Sequence, residues 1–448
     1  MEFDFTEGKI IKKLLLFMIP IFIALFLQQL YGAVDGVIVG KFSGNANQNA
    51  VNTGSQVMGA FINLVGGLSI GTSILLSQAI GEKQREKSGK IIGAGIFIFT
   101  FVVIVLTFTL TVFSRNFALL LKSPSESLEA TVSYIRILGF GSIFLVSYNV
   151  LGGIFRGLGD STTPLITVFI ATIINIILDL VFVKNLGFGA IGAAYATVIA
   201  QASSVFLSIL IIKMRKFNLN FKLKYIRNDE NYTLKTLSLG APVAINGFLV
   251  SFSFVFIQSL ANSFGLVIGT GIGVTEKLIG FLLLIPMAFG SGIATYVAQN
   301  ASALKHKRAM FGVKVSTLFS LIISILIIIY VLVDGKSLIR IFNSDPEVVD
   351  VAYLYLKAYS FDIFFTVFLF NSIGYFNGYG KTKFTMISGV LGAFLFRIPL
   401  SFLFSKVVPL NVFLIGLGTP AGTLFQIIIS IIFFIKMKKD LIFEENML

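Results

Sequence analysis

Four acidic residues lie inside segments of the chain that are otherwise strongly apolar. They are Asp35, Asp179, Glu276 and Asp362. An aspartate at the centre of a membrane-spanning helix costs about 2.5–3.5 kcal/mol on insertion scales. Each acid therefore marks a polar cavity, a charged partner, or a proton or ion site. The alternative, open for Asp35 and Asp179, is an acid near a helix end that simply reaches water.

Polar residues accompany the first two acids at helical spacing. Asn175 lies four residues before Asp179, so both side chains project from one helix face. Tyr134 and Thr197 supply hydroxyl groups at a similar depth on other predicted helices. We expect two carboxylates, one amide and two hydroxyls to meet in the outer half of the membrane. Such a cluster can hold a proton shared between the acids, or a sodium ion bound by Asp35, Asn175, Asp179 and Thr197.

A proline precedes the first acid within the same predicted helix. Pro20 removes a backbone hydrogen bond and is expected to kink the helix that carries Asp35. One interpretation is a static kink, which is common in membrane helices. The other is a hinge whose bend depends on the charge of Asp35.

The acids of the second half have different neighbours. Glu276 adjoins Lys277, so an internal ion pair is an alternative to a binding role. Asp362 lies among phenylalanines, including Phe361 and Phe364. We expect Glu276 and Asp362 to contribute to the wall of a site for flat, cationic organic substrates.

The composition predicts the helices that must position these residues. Hydrophobic residues make up 56% of the 448 residues and charged residues only 12%, against about 25% charged in soluble domains. The mean hydropathy is +0.92, and a spanning helix needs roughly 20 apolar residues. We predict twelve spans, at 11–36, 54–80, 91–114, 128–152, 162–183, 188–212, 236–260, 264–298, 310–333, 349–374, 384–405 and 410–436.

The positive charges predict the orientation of these spans. Most of the Lys and Arg residues fall in one alternate set of connections, which includes both termini. By the positive-inside rule, this set is cytoplasmic. The predicted organisation is an N-terminal six-helix lobe at 1–212, a cytoplasmic linker at 213–235 and a C-terminal six-helix lobe at 236–448. A bacterial-type plasma membrane is the expected location, and we expect a monomer.

Several function classes are excluded by the residues that are absent or rare. The chain has no cysteine, and its single histidine lies in the basic segment 305–308. A thiolate site, a histidine-based metal site and a membrane enzyme are therefore not expected, and neither is a cofactor. The net charge of +14 is explained by basic cytoplasmic loops rather than by nucleic acid binding.

The two halves repeat at an offset of 221–222 residues. Pro20 matches Pro242, and Gly71 and Gln78 match Gly292 and Gln299. Tyr148-Asn149 with the segment 156–159 matches Phe370-Asn371 with 377–380. Because each half has six helices, both have the same orientation in the membrane. The predicted fold is all-α, with two pseudo-symmetric six-helix bundles in a parallel repeat around a central cavity, as in secondary transporters.

The first-half pattern resembles the multidrug and toxic compound extrusion (MATE) family, and within it the DinF-like branch. The resemblance is carried by Pro20, the segment 30–40 that contains Asp35, the segment 156–160 with Pro164, and Asn175 with Asp179. It implies that the first-half cluster takes up the coupling H+ or Na+ and that the first helix bends at its proline. The implied coupling residues are Asp35, Tyr134, Asn175, Asp179 and Thr197, with Asn149 also in the network.

One departure from the family concerns the second half. In the NorM-like branch, the seventh helix carries an acid, whereas Ile257 stands at the position that matches Asp35. A second-half sodium site of that kind is therefore not expected.

The expected function is a secondary active antiporter that exports organic, often cationic, compounds in exchange for H+ or Na+. The alternative is a lipid-linked oligosaccharide flippase of related architecture, which needs cationic residues deep in its cavity. Its candidates are Arg136, Lys277, Lys357 and Arg397. A channel is not expected, since the acids form no repeated ring.

Overall fold

A computed structural model describes residues 2–121, 123–215, 220–227 and 229–446. The parts of the predicted linker at 216–219 and 228 lie outside these residues. The described chain is all-helical, which confirms the predicted fold class. Its first seven helices are α1 (Ile10–Gly81), α2 (Ser88–Val112), α3 (Ser114–Leu120), α4 (Ser125–Phe140), α5 (Ser142–Gly157), α6 (Thr162–Asp179) and α7 (Gly189–Met214). The rest are α8 (Glu230–Asn262), α9 (Leu266–Leu282), α10 (Leu284–Ser302), α11 (His306–Arg340), α12 (Pro346–Gly378), α13 (Thr382–Leu391), α14 (Ile398–Phe404) and α15 (Val412–Asn446).

The helices account for all twelve predicted spans. Within the described ranges, nine helices are long and apolar enough to cross a membrane, or eleven if each of two bent helix pairs is one span. These pairs are α4 with α5, bent by 54°, and α9 with α10, bent by 41°. The 72-residue α1 contains two predicted spans, because its backbone leaves the helical region at Gly44 (φ 78°, ψ 173°).

The described residues pack into two compact units. The first is built mainly from Ile19–Ala244, and the second from Asp4–Met18 and the residues after Ala244. Consequently α1 begins in the second unit and continues in the first, while α8 begins in the first and continues in the second. Each change of unit lies within three residues of Pro20 or Pro242, the prolines that the repeat brings into correspondence.

The predicted repeat landmarks at 156–159 and 377–380 form equivalent helix ends. Gly159 and Gly380 adopt positive φ angles of 79° and 73°. In the first case the N–H of Asp160 donates to the carbonyl of Phe155 at 2.8 Å, and in the second Lys381 donates to Phe376 at 2.8 Å. This is the pattern in which a left-handed glycine terminates a helix and satisfies its last carbonyls.

Two irregular segments interrupt corresponding spans of the units. A π-helical segment, Leu180–Asn185, continues directly from α6. Another, Gly392–Arg397, joins α13 to α14. Single π-helical turns widen the backbone and re-aim nearby side chains, and they occur frequently at functional sites.

Close helix packing in the first unit depends on glycine at particular positions of α1. A methyl group on Gly67 would overlap the backbone of Ala244 in α8, whereas one on Gly66 would meet no atom within 4 Å. These adjacent residues therefore form a matched pair for measuring the packing contribution.

We predict that Gly67→Ala destabilises the protein by about 1–3 kcal/mol, because helix backbones cannot move apart freely in a packed core. Gly66→Ala is the control and is expected to leave stability unchanged or raise it, since alanine favours the helix. The melting temperature of each purified variant in detergent measures the difference. Equal melting temperatures for the two variants would contradict the packing assigned to Gly67.

Candidate cation site

Helix α6 carries two of the predicted site residues, and its start is firmly anchored. The fully buried Asp160 accepts hydrogen bonds from the backbone N–H groups of Thr162 and Thr163, both at 3.0 Å, and from the Thr163 hydroxyl at 2.6 Å. Arg215, at the end of α7, forms an ion pair with the same carboxylate at 3.2 Å. This capping arrangement satisfies the first N–H groups of the helix. The position of α6 along its neighbour α7 is thereby fixed.

The structure brings the two first-half aspartates together in the interior. Asp35 on α1 is 4% exposed, and Asp179, the last residue of α6, is fully buried. Asp179 and Asn175 are polar neighbours of the Asp35 carboxyl group, although neither forms a hydrogen bond of normal geometry with it in the described structure. The Thr197 hydroxyl on α7 donates to Asp35 Oδ2 at 3.3 Å. Four of the predicted residues, from three helices, therefore share one site.

Tyr134 faces the same site from α4 without a hydrogen bond to either acid. Its ring is buried and its hydroxyl lies 3.1 Å from Ser55 Oγ, while its electrostatic neighbours include Asp35 and Asp179. The ring lies directly over Gly54, where a side chain would overlap it. The absence of a side chain at Gly54 therefore makes room for Tyr134.

Two other predicted residues lie apart from this contact network. The Asn149 amide donates to the carbonyl of Leu145 in its own helix at 2.8 Å, and Ser69 donates to the Asn149 carbonyl at 3.0 Å. In the described structure Asn149 makes no hydrogen bond to Asp35 or Asp179. Pro20 lies inside α1 at a position where the backbone is helical, well before the break at Gly44.

Two residues absent from the predicted site extend it. Gln201 Nε2 donates to the Tyr31 hydroxyl at 3.1 Å. Tyr31 precedes Asp35 by one helical turn, and Gln201 follows Thr197 by one turn, so each lies on the face of a predicted site residue. This spacing is the sequence signal that identifies them.

The cluster contains more hydrogen-bonding capacity than its own members use. In the described part of the chain, six buried side-chain atoms of the cluster lack a hydrogen-bond partner: Asp35 Oδ1, both oxygens of Asp179, both amide atoms of Asn175 and Gln201 Oε1. Unpaired buried polar groups are costly. Two adjacent carboxylates also repel each other strongly away from water. The arrangement suits a small cation, either a shared proton or an oxygen-bound Na+.

The cluster offers a cation only oxygen ligands. Its carboxylate, amide and hydroxyl oxygens are hard ligands, the type that alkali and alkaline-earth cations take. Nowhere in the described ranges do three His, Cys, Asp or Glu side chains come together in a possible metal site.

The second unit contains a separate buried polar cluster. Asp362 on α12 is 2% exposed, and Glu276 on α9 has a buried carboxylate oxygen without a hydrogen-bond partner. Both interact electrostatically with Arg397, at the end of the segment Gly392–Arg397. The sequence identified this arginine only as a candidate cation of a flippase cavity, not as a neighbour of the two acids.

Comparison with known proteins identifies the fold and the family. A family model described as MatE matches residues 20–181 and again 242–403, so the second match begins 222 residues after the first. An outward-facing multidrug resistance MATE family transporter of the MOP superfamily superposes with a TM-score of 0.91 at 19% identity, over 98% of both chains. A MOP superfamily transporter from Pyrococcus furiosus Vc1 gives a TM-score of 0.92 at 19% identity, again over 98% of both.

Relatives of known sequence cover almost the whole chain. The probable multidrug resistance protein YpnP of Bacillus subtilis (strain 168) is 27% identical, over 95% of this chain and 94% of its own length. The multidrug export protein MepA of Staphylococcus haemolyticus (strain JCSC1435) is 24% identical, over 83% and 81% respectively. Since the family model covers well over half of the chain in two repeats, the protein belongs to the MatE family of multi-span membrane transporters and is not an enzyme.

Proposed function

We propose that this protein is a secondary antiporter that exports organic, often cationic, compounds in exchange for H+ or Na+. The observation that carries the proposal is the proximity of Asp35 and Asp179 in the first unit. They lie in a buried cluster in which several polar atoms lack a hydrogen-bond partner. The names of the relatives, a multidrug resistance protein and a multidrug export protein, support the substrate class.

In this proposal the coupling cation binds between the two carboxylates. Asn175 and Thr197 orient the acids and supply further oxygen atoms, and Tyr134 closes the site from α4. Cation and drug act on one conformational equilibrium, and each shifts it only by its difference in affinity for the two states. Inward movement of the cation thereby drives outward movement of the drug by alternating access.

The remaining parts of the proposal concern the supporting residues and the topology. Asn149 contributes by holding α5 against α1 near the cluster, and Pro20 is the hinge of the first helix. Glu276 and Asp362 contact the substrate. The protein works as a monomer in a bacterial-type plasma membrane with both termini cytoplasmic, and lobes 1–212 and 236–448 are joined by the cytoplasmic linker 213–235.

We expect Asp35→Asn and Asp179→Asn each to abolish dye efflux driven by an imposed H+ or Na+ gradient, because a single neutral amide removes the charge that binds the cation. Efflux of a fluorescent cationic dye from proteoliposomes measures this, with the two gradients imposed separately. Asp350→Asn is the matched control: Asp350 is exposed and, in the described part of the chain, pairs with the exposed Lys336, so efflux should stay at the level of the unaltered protein.

Gradient-driven efflux at full rate in both single variants would refute the coupling role of the cluster. Transport that needs neither gradient would instead favour the flippase alternative.

Thr197→Val separates the two possible cations, because it replaces a hydroxyl with a methyl group of similar size. A bound Na+ loses an oxygen ligand, so the Na+ concentration for half-maximal efflux should rise, whereas H+-driven efflux should change little. Thr167→Val is the control, since the Thr167 hydroxyl donates only to Pro164 in its own helix at 3.0 Å. Na+-driven efflux with unchanged Na+ dependence in Thr197→Val would exclude this residue from the sodium ligands.

A further inference from the structure

Arg397 is a buried cation for which the proposed function has no role. Its side chain is only 5% exposed, and the residue ends the π-helical segment Gly392–Arg397, directly before α14. Its Nη1 donates to the Ser253 hydroxyl at 2.9 Å, and its guanidinium carbon lies 4.3 Å from the centre of the Phe254 ring. Burying such a charge is expensive unless other charges compensate it.

Two acids from different helices supply that compensation. Glu276 on α9 and Asp362 on α12 both interact electrostatically with Arg397. Neither forms an ion pair with it within 4.0 Å among the described residues. The other titratable groups that face Arg397 are the buried hydroxyls of Tyr355 and Tyr359 on α12. The guanidinium therefore lies within electrostatic range of both carboxylates without a direct ion pair to either.

The backbone around Arg397 is closely packed against α15. A methyl group on Gly418 would press on the backbone carbonyl of Arg397, and one on Gly422 would overlap the backbone carbonyl of Gly392. Gly416 makes a similar close approach to Tyr355 on α12. The three glycines therefore allow α15 to approach both the segment Gly392–Arg397 and α12.

The repeat aligns this cluster with the cation site of the first unit. The two family matches begin 222 residues apart, and at that offset Asn175 in the first match corresponds to Arg397 in the second. The second cluster also resembles the first in its unpaired atoms, which include Glu276 Oε1, Asp362 Oδ1, Arg397 Nε and Thr419 Oγ1. An amide that faces two acids in the first unit is thus replaced by a guanidinium that faces two acids in the second.

We propose that Arg397 is a built-in cation that takes the place of the coupling ion in the second unit. Two carboxylates with one fixed positive charge have the net charge that the first cluster reaches only when its cation is bound. The second cluster therefore always carries the net charge that the first cluster has with its cation bound, and it binds no coupling cation. One negative charge remains there for a cationic substrate. The comparison with the loaded site rests on the proposed function.

The test is to replace Arg397 with asparagine, the residue type at the corresponding position, Asn175, of the first cluster. Arg397→Asn leaves two uncompensated acids, so the melting temperature in choline chloride should fall on the order of 5 °C. Unlike the parent protein, the variant should regain stability when NaCl replaces choline chloride, or when the pH is lowered, because a cation or proton then replaces the guanidinium. Arg397→Lys keeps the positive charge and should show neither new dependence.

A second variant keeps the test decisive if Arg397→Asn does not fold. Combining it with Glu276→Gln and Asp362→Asn removes all three charges, so this protein should fold and lose the dependence on Na+ and pH. A destabilisation that neither cations, protons nor removal of the acids relieves would assign Arg397 a packing role only and overturn the inference. Because stability is measured without transport, this outcome is independent of whether Asp35→Asn stops efflux.

Discussion

The arrangement of the first unit depends on the contact between Asp35 and Asp179. Two carboxylates this close in a buried site cannot both keep their charge without a cation, and nothing else within the cluster neutralises them. The nearby amide and hydroxyl oxygens orient the acids but carry no charge. In the proposed function, this constraint makes the occupancy of the site depend on an ion gradient.

The surrounding structure holds that contact in place from both ends. At the start of α6, Asp160 fixes the helix through its capping hydrogen bonds and its ion pair with Arg215. At the other end, Asp179 is followed directly by a π-helical turn. Helix α6 is therefore anchored at its start, and its backbone changes form directly after Asp179.

The second unit compensates the charge of its two buried acids in a different way. Its acids come from α9 and α12 rather than from the counterparts of α1 and α6, and Arg397 supplies a fixed charge at the position that corresponds to Asn175. A repeated fold has thus diverged in charge while keeping its backbone landmarks, such as the helix ends at Gly159 and Gly380. In the proposed function, this difference gives ion coupling to one unit and leaves the other free to contact substrate.

The membrane-spanning helices and part of the candidate cation site were predictable from the sequence, whereas the charged cluster of the second unit was not. Hydropathy identifies the spans because a bilayer requires long apolar helices, and helical spacing identifies Asn175 with Asp179 because residues four apart share a face. The meeting of Asp35 and Asp179 was expected from their similar depth in the membrane and was implied again by the family resemblance, since spacing within one helix says nothing about its neighbour. The meeting of Arg397 with Glu276 and Asp362 was not predicted, because three elements distant in the sequence build it.

The proposed coupling is tested most directly by counting the cations released when the purified protein binds a saturating amount of cationic dye. Release of protons is followed in weakly buffered solution, and release of sodium by loss of bound radioactive Na+. If drug and cation exclude each other through the cluster, about one cation leaves each protein molecule, and none leaves the Asp35→Asn variant. Dye binding that releases the same number of cations from both proteins would contradict the account.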